Sequence, residues 1–392
     1  MSRIIGWLWG RLPIGWLQLM HNKTRLIAAV GGVTFANVLI FMQLGFMNAL
    51  FETSVFSHRS FDADIVLVSS DFRSLREANP LPRSRMYQAL AVPGVHYATP
   101  VYIGTRFWTD TSTGDTTNFR VTGVDPNADV FDDKDLSAKA RQLRLPDTAI
   151  VDQRTRDFNA NIQATLQSGR SVNVEIGGRS ISFVSLFDQG ASFDVDGSLI
   201  VSDQTFFALF PNRRPGTPTL VLLKIDDPSQ AAEITEHINQ HLAHGDVKAM
   251  TKQAFIEAEQ SYQATQTPIG FVFGFGVGIG IVVGLVIVYQ VLSTDVQDHL
   301  SEYATFKAIG YPPRFFFGVV LEEALSLAAL GFIPGLVICL VLYELAAAKT
   351  GLPITMPWTR PLFVFCLTAA MCTLSGVIAT RRLNAADPAE LF

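Results

Sequence analysis

The chain is 392 residues long, 48% hydrophobic and only 17% charged, with a formal net charge of −5 and a mean hydropathy of +0.27. That length leaves room for two or three domains, and the apolar excess marks a membrane protein. The acidic balance leaves no basic footprint, which argues against nucleic acid as a partner. Cys339, Cys366 and Cys372 all fall in apolar runs, where a thiol acts as a small hydrophobe. No disulfide framework or thiolate metal site is therefore available outside those runs.

In chain order, residues 1–25 set Trp7, Trp9 and Trp16 among Arg3 and Arg11 with several glycines, a pattern of an interfacial amphipathic helix broken near Pro13 rather than of a span. Residues 26–50 hold only Asn37, Gln43 and Asn48 as strongly polar members, and about twenty residues suffice to cross the hydrocarbon. The run is long, starts late and lacks a small-x-small cleavage site, so it reads as a first span rather than a removed signal peptide. Residues 51–267 change to the character of a soluble α+β domain. Strands are expected at 64–68, 101–108, 119–123 and 219–225, and a hairpin at 172–176 and 180–184 around Gly177-Gly178. Helices are expected at 82–91, 203–210 and 228–242, with a stalk at 252–267 running toward the next span.

The second span, 268–293, carries Gly270, Gly274, Gly278 and Gly284, spaced to let a neighbouring helix come close. No strand precedes these glycines and no Gly-Lys-Ser/Thr follows, so they are not a nucleotide loop. Residues 294–314 form a polar island, followed by a third span at 315–345 and a fourth at 361–380. The tail 381–392 closes the chain. Lys and Arg of the short segments divide as Arg3, Arg11, Lys23, Arg25, Lys307, Arg314, Arg381 and Arg382 on one side against Lys349 and Arg360 on the other. The bias places both termini and the island in the cytoplasm and the 51–267 domain outside.

The island reads as one short helix from Asp298 to Gly310. Acids come early and Lys307 late, as the helix dipole favours, with Gly310 as C-cap and Pro312-Pro313 forbidding continuation. Leu300, Tyr303, Ala304 and Phe306 leave it partly apolar, a surface suited to another protein rather than a plain solvated turn. No Walker A sequence or Gly-Lys dipeptide occurs in the chain, so it is not expected to hydrolyse ATP through a P-loop of its own. His237, His241 and His244 could bind zinc by helical spacing but carry no H-E-x-x-H arrangement and read as a solvated face. Asp194-Val195-Asp196-Gly197 resembles half a calcium loop without its later ligands and reads as a turn. Glu322 and Glu323 stand inside the third span, either as functional carboxylates or as groups that snorkel or pair with Lys307 or Arg314.

Glu302-Tyr303-Ala304-Thr305-Phe306-Lys307-Ala308-Ile309-Gly310 resembles the cytoplasmic coupling helix of FtsX/MacB-type ABC permeases, and Arg381-Arg382 with Asp387-Pro388 resembles the basic helix and ending of that family. Gly15-Trp16-Leu17-Gln18-Leu19, Phe41-Met42-Gln43-Leu44-Gly45-Phe46, Phe61-Asp62-Ala63-Asp64 and Asp196-Gly197-Ser198-Leu199-Ile200-Val201-Ser202-Asp203 are similar to the DevC branch, permeases of cyanobacterial adaptor-dependent exporters. The resemblance implies a MacB/FtsX-like fold with four transmembrane helices and an α+β extracytoplasmic domain between the first and second. It implies a type VII homodimeric permease in the bacterial inner membrane, without catalysis or cofactor of its own. ATP and Mg would be bound by a separate ABC ATPase beneath the coupling helix (Asp298, Leu300, Glu302, Tyr303, Ala304, Phe306, Lys307, Ala308, Gly310). A periplasmic membrane-fusion adaptor would lead to a TolC-like outer-membrane channel, and the branch points to glycolipid or another envelope amphiphile as cargo, driven by mechanotransmission. The alternatives are an FtsX-like regulator of an envelope hydrolase, a lipoprotein-releasing permease, or an anchored binding or sensor module with no ATPase.

Overall fold

The computed structural model describes residues 14–110, 112–242, 245–299, 302, 305 and 309–385. Four of its helices are long and apolar enough to cross a membrane. The chain divides into two compact units, one of Met1–Asn48, Phe271–Ala346 and Ile354–Phe392, the other of Ala49–Gly270 and Ala347–Pro353.

The first unit holds a short helix α1 (Ile14–His21), most of α2 (Lys23–Ser54), α10 (Pro268–Asp298), most of α11 (Pro313–Thr350) and α12 (Thr359–Ala385). Each expected span lies within one of the four longer helices. Asn22 starts α2, its Oδ1 accepting from the Arg25 N–H at 3.2 Å, which satisfies one of the donors a helix start leaves unpaired. The helices pack through small residues. A Cβ on Gly331 would stand 2.5 Å from Val33, and one on Gly284 3.2 Å from both Ala36 and Met371. Pro334 lies inside α11 and removes an N–H from its ladder. The Thr34 hydroxyl, 3.1 Å from Gly331 O, gives that stretch an interhelical partner, as backbone inside a bilayer requires.

The second unit is built on a nine-stranded mixed sheet in the order β5-β6-β4-β7-β3-β2-β8-β1-β9. In chain order the strands are β1 (Ile65–Ser69), β2 (Val95–Thr109), β3 (Thr116–Val124), β4 (Thr148–Asp152), β5 (Val172–Ile176), β6 (Arg179–Phe187), β7 (Gly197–Ser202), β8 (Leu220–Ile225) and β9 (Val247–Thr251). β3 pairs in parallel with β7 and β4 with β6, while the other neighbours are antiparallel. The long β2 holds the two halves together: Val95–Val101 pair with β8, and Tyr102–Thr109 pair with β3. Gly177 and Gly178, at φ +60° and +77°, make the β5–β6 turn, the conformation that only glycine enters without penalty.

The helices of this unit are α3 (Phe56–Ser60), α4 (Arg83–Leu90), α5 (Lys134–Ala140), α6 (Ala160–Gln167), α7 (Asp203–Leu209), α8 (Ala231–His241) and α9 (Lys252–Thr265). Met86 and Ala89 of α4, with Ile234 and Ile238 of α8, join Ile65, Leu67, Val221 and Leu223 in one core. Leu166, Phe206 and Leu209 close a second core over β3, β4, β6 and β7. Thr251 caps α9 by accepting from Ala254 N–H, and α9 gives way to α10 after Gln266 and Thr267.

Candidate functional site

The connection between α10 and α11 is where sequence reasoning expected a partner-facing helix. Asp298 is the last residue of α10 rather than the first turn of a separate helix. The Arg25 guanidinium explains the extension: Nη1 stands 2.7 Å from Asp298 Oδ2 and 3.4 Å from Asp295 Oδ1, and Nη2 donates to Val291 O at 3.2 Å. A cation beside the C-terminal turns of a helix stabilises an end that two carboxylates would otherwise oppose. Beyond it Glu302 and Thr305 are helical and exposed, Ile309 N–H donates to Thr305 O at 3.1 Å, and Gly310 has φ +103°, the left-handed cap expected there. Leu300, Tyr303, Ala304, Phe306, Lys307 and Ala308 lie outside the described residues, as do Asp387 and Pro388. Arg381 and Arg382 continue the backbone of α12.

Glu322 and Glu323 are buried, 2% and 0% exposed, and do not snorkel. Glu322 Oε1 accepts from Trp16 N–H at 3.4 Å, so a carboxylate of α11 meets the backbone of α1. The carboxyl of Glu323 faces that of Asp295 within hydrogen-bonding reach, and no other donor among the described residues meets its oxygens. Gly15 allows this docking, since a Cβ there would stand 2.6 Å from Val319 O and 3.0 Å from Glu323 Cγ. Sequence reasoning looked for these partners in Lys307 and Arg314. It missed Trp16, 306 residues away from Glu322 in sequence, because nothing local signals that α1 lies against α11.

Of the four glycines singled out for helix packing, Gly284 alone faces other spans, against Ala36 and Met371. Gly270 faces the preceding turn, where a Cβ would meet Gln263 O at 2.1 Å, and Gly274 and Gly278 face open space. Gly276 and Gly280 instead receive Gln43 and Ile40. The glycine stripe therefore serves two faces of α10, one turned to α2 and one left open.

In the second unit, the chain enters through α3 and leaves through α9, and a polar network joins the two. Buried His58 has Nε2 3.3 Å from Glu259 Oε2, its ring 4.3 Å from that of Phe255, and Glu259 accepts from Leu75 N–H at 2.8 Å. Burial lowers the His58 pKa, against the opposing pull of Glu259. Arg120 from β3 pairs with Asp194. Burial alone would raise the Asp194 carboxyl, but the Arg120 guanidinium and the Ser192 hydroxyl outweigh it and hold it below the usual range. Arg156 Nη1 stands 2.7 Å from Asp196 Oδ1, while Nε donates to Thr350 O at 2.9 Å. The half-loop Asp194–Asp196 thus meets two arginines, one of which, Arg156, also bonds the last turn of α11. His237 and His241 are exposed on α8, and His244 lies outside the described residues. Among the described residues no group of three or more His, Cys, Asp or Glu could hold a metal ion.

Residues 271–388, the stretch holding α10 after its first residues, the connection, α11 and α12, match the model of the family described as FtsX-like permease C-terminal. Over 236 residues the chain is 24% identical to uncharacterised ABC transporter permeases of Mycobacterium bovis and Mycobacterium tuberculosis, covering 59% of this chain and 60% of theirs. The chain thus spans about three-fifths of the length of those relatives. Among solved structures, the extracellular domain of the ABC-type transporter YknZ from Gram-positive bacteria is similar over 44% of this chain and 90% of its own, with TM-score 0.33 and 11% identity. The periplasmic region of MacB from Actinobacillus actinomycetemcomitans is similar over 51% and 92%, with TM-score 0.31 and 14% identity. Residues 271–388 are therefore similar to the FtsX-like permease C-terminal family, in a chain similar to ABC transporter permeases.

Proposed function

We propose that this chain is the permease subunit of a tripartite ABC exporter in a bacterial inner membrane. It does no chemistry of its own. A separate ATPase binds the 299–312 connection on the cytoplasmic side, and its ATP-driven closure moves α10 and α11. The motion reaches the periplasmic unit along two routes present in the chain: α10 continues from the stalk α9, and the end of α11 is held by Arg156. The rearranged domain then drives an envelope amphiphile onward through a membrane-fusion adaptor and an outer-membrane channel, with two copies of the chain working as a homodimer. The observation that carries the reading is the FtsX-like permease match over 271–388, centred on a polar connection between two apolar helices.

The test is a gentle detergent pull-down from native membranes with mass spectrometry of what is retained. A P-loop ATPase together with a periplasmic adaptor is expected, and the double substitution Glu302→Ala, Lys307→Ala should lose the ATPase while the chain still inserts. An ATPase accompanied by a cell-wall hydrolase would replace export with hydrolase regulation. Unaltered ATPase association in the double variant would remove the coupling role of the connection.

A further inference from the structure

At the foot of the sheet unit, where α2 ends and α10 begins, lies a cavity of about 300 Å³, at the lower end of volumes that hold small ligands. Its wall mixes two chemistries. Leu50 and Ile269 stand at the sheet-side ends of two helices apolar enough to cross a membrane, and on the exporter reading this part of the wall lies where hydrocarbon gives way to headgroups. Arg76, Glu77, Asp194 and Tyr262 form the polar part.

The charges are not equally available. Asp194 is held by Arg120 and feels Arg76 at longer range, while burial and then the nearby Glu77 carboxylate push the pKa of the Tyr262 hydroxyl up. The hydroxyls of Thr53 and Ser54, also on the wall, are turned to their own helix, 2.7 Å from Ala49 O and 2.9 Å from Phe51 O. Arg76 is exposed and has no ion pair among the described residues. A planar guanidinium with its donors free, above an apolar floor at headgroup depth, fits a phosphate carried on a hydrocarbon chain.

We propose that this cavity binds the phosphate headgroup of an amphiphile, Arg76 meeting the phosphate while Leu50 and Ile269 meet the start of its chain. The inference deepens the exporter reading and rests on its placing of the sheet unit outside the membrane. Two sources share the chemistry, a resident bilayer phospholipid and an exported phosphate-bearing amphiphile.

The experiment uses the full chain in detergent together with its co-purified ATPase, followed by native mass spectrometry with three probes: dioleoyl phosphatidylglycerol, dioleoylglycerol and inorganic phosphate. Phosphatidylglycerol should bind, and the two probes carrying half of the chemistry should not. Arg76→Ala should weaken the phospholipid by about tenfold, the scale of a lost charge-assisted contact, and Arg76→Lys should keep most of the binding. Release on adding ATP would identify the occupant as cargo, and retention would identify it as a structural lipid; either outcome supports the site. Equal binding by the wild-type chain and Arg76→Ala, or by dioleoylglycerol and the phospholipid, would overturn it. The retained ATPase is scored in the same spectra, so loss of lipid with the ATPase present sinks the site alone, and absence of the ATPase sinks the exporter reading instead.

Discussion

His58 shows how one side chain can make the sheet unit sensitive to acid. It is 1% exposed, and burial pushes its pKa below the ordinary 6.5. At neutral pH both folded and unfolded chains carry it uncharged. As the pH falls through 6.5 the unfolded chain takes up a proton that the folded chain refuses, so stability is lost on the acid side. Glu259 offers partial compensation at 3.3 Å, while Arg120 opposes a charge there. The thermal midpoint of the full chain in detergent should therefore fall between pH 7.5 and pH 5. His58→Gln, a neutral donor that can still reach Glu259, should flatten that part of the profile while costing about 1 kcal/mol of stability at pH 7.5, the centre of the range for point substitutions. An unchanged slope in the variant would assign the acid sensitivity to another group.

At the scale of elements, the end of α11 shows what a sequence can and cannot reveal. The helix itself is legible, because a long apolar run between Pro312-Pro313 and Gly351 has few other options. The β5–β6 hairpin is equally plain from Gly177-Gly178. β4 and β7 escape a period-two reading because every residue in them is buried, and alternation disappears when both faces of a strand are covered. The tether escapes for another reason: Arg156 finds Asp196 40 residues away and Thr350 194 residues away, a pairing that only the strand order brings about. If Arg156 fastens α11 to the sheet unit, its removal should loosen the segment that follows. Leu352 is 5% exposed, so Leu352→Cys in a Cys366→Ala background should react slowly with a membrane-impermeant maleimide. Adding Arg156→Ala should speed that reaction by about tenfold, the effect of losing roughly one net hydrogen bond to a charged group. Equal rates would mean that the segment is held by its apolar contacts alone.

At the scale of the whole molecule, α10 leaves a surface that the described residues do not cover. Phe271, Phe275 and Val282 are 69%, 61% and 59% exposed, and they fall on one helical face with Gly274 and Gly278, beside which a Cβ would meet nothing. The rings of Phe271 and Phe275 stack with centroids 5.9 Å apart. Lipid could solvate such a face, yet lipid gives no reason for Gly274-x-x-x-Gly278, which weakens a helix unless a second backbone comes close. The proposed homodimer supplies that backbone when the α10 helices of two copies cross at these glycines. Close crossing brings facing Cα atoms within the 7 Å or so that a disulfide can span. In native membranes of the Cys366→Ala background, Gly278→Cys should therefore give an oxidised dimer under mild oxidant. Leu362→Cys, on α12 and 55% exposed, should stay monomeric and so measure random collision. Cross-linking at both positions alike, or at neither, would leave lipid as the neighbour of α10 and move the dimer contact to another part of the chain.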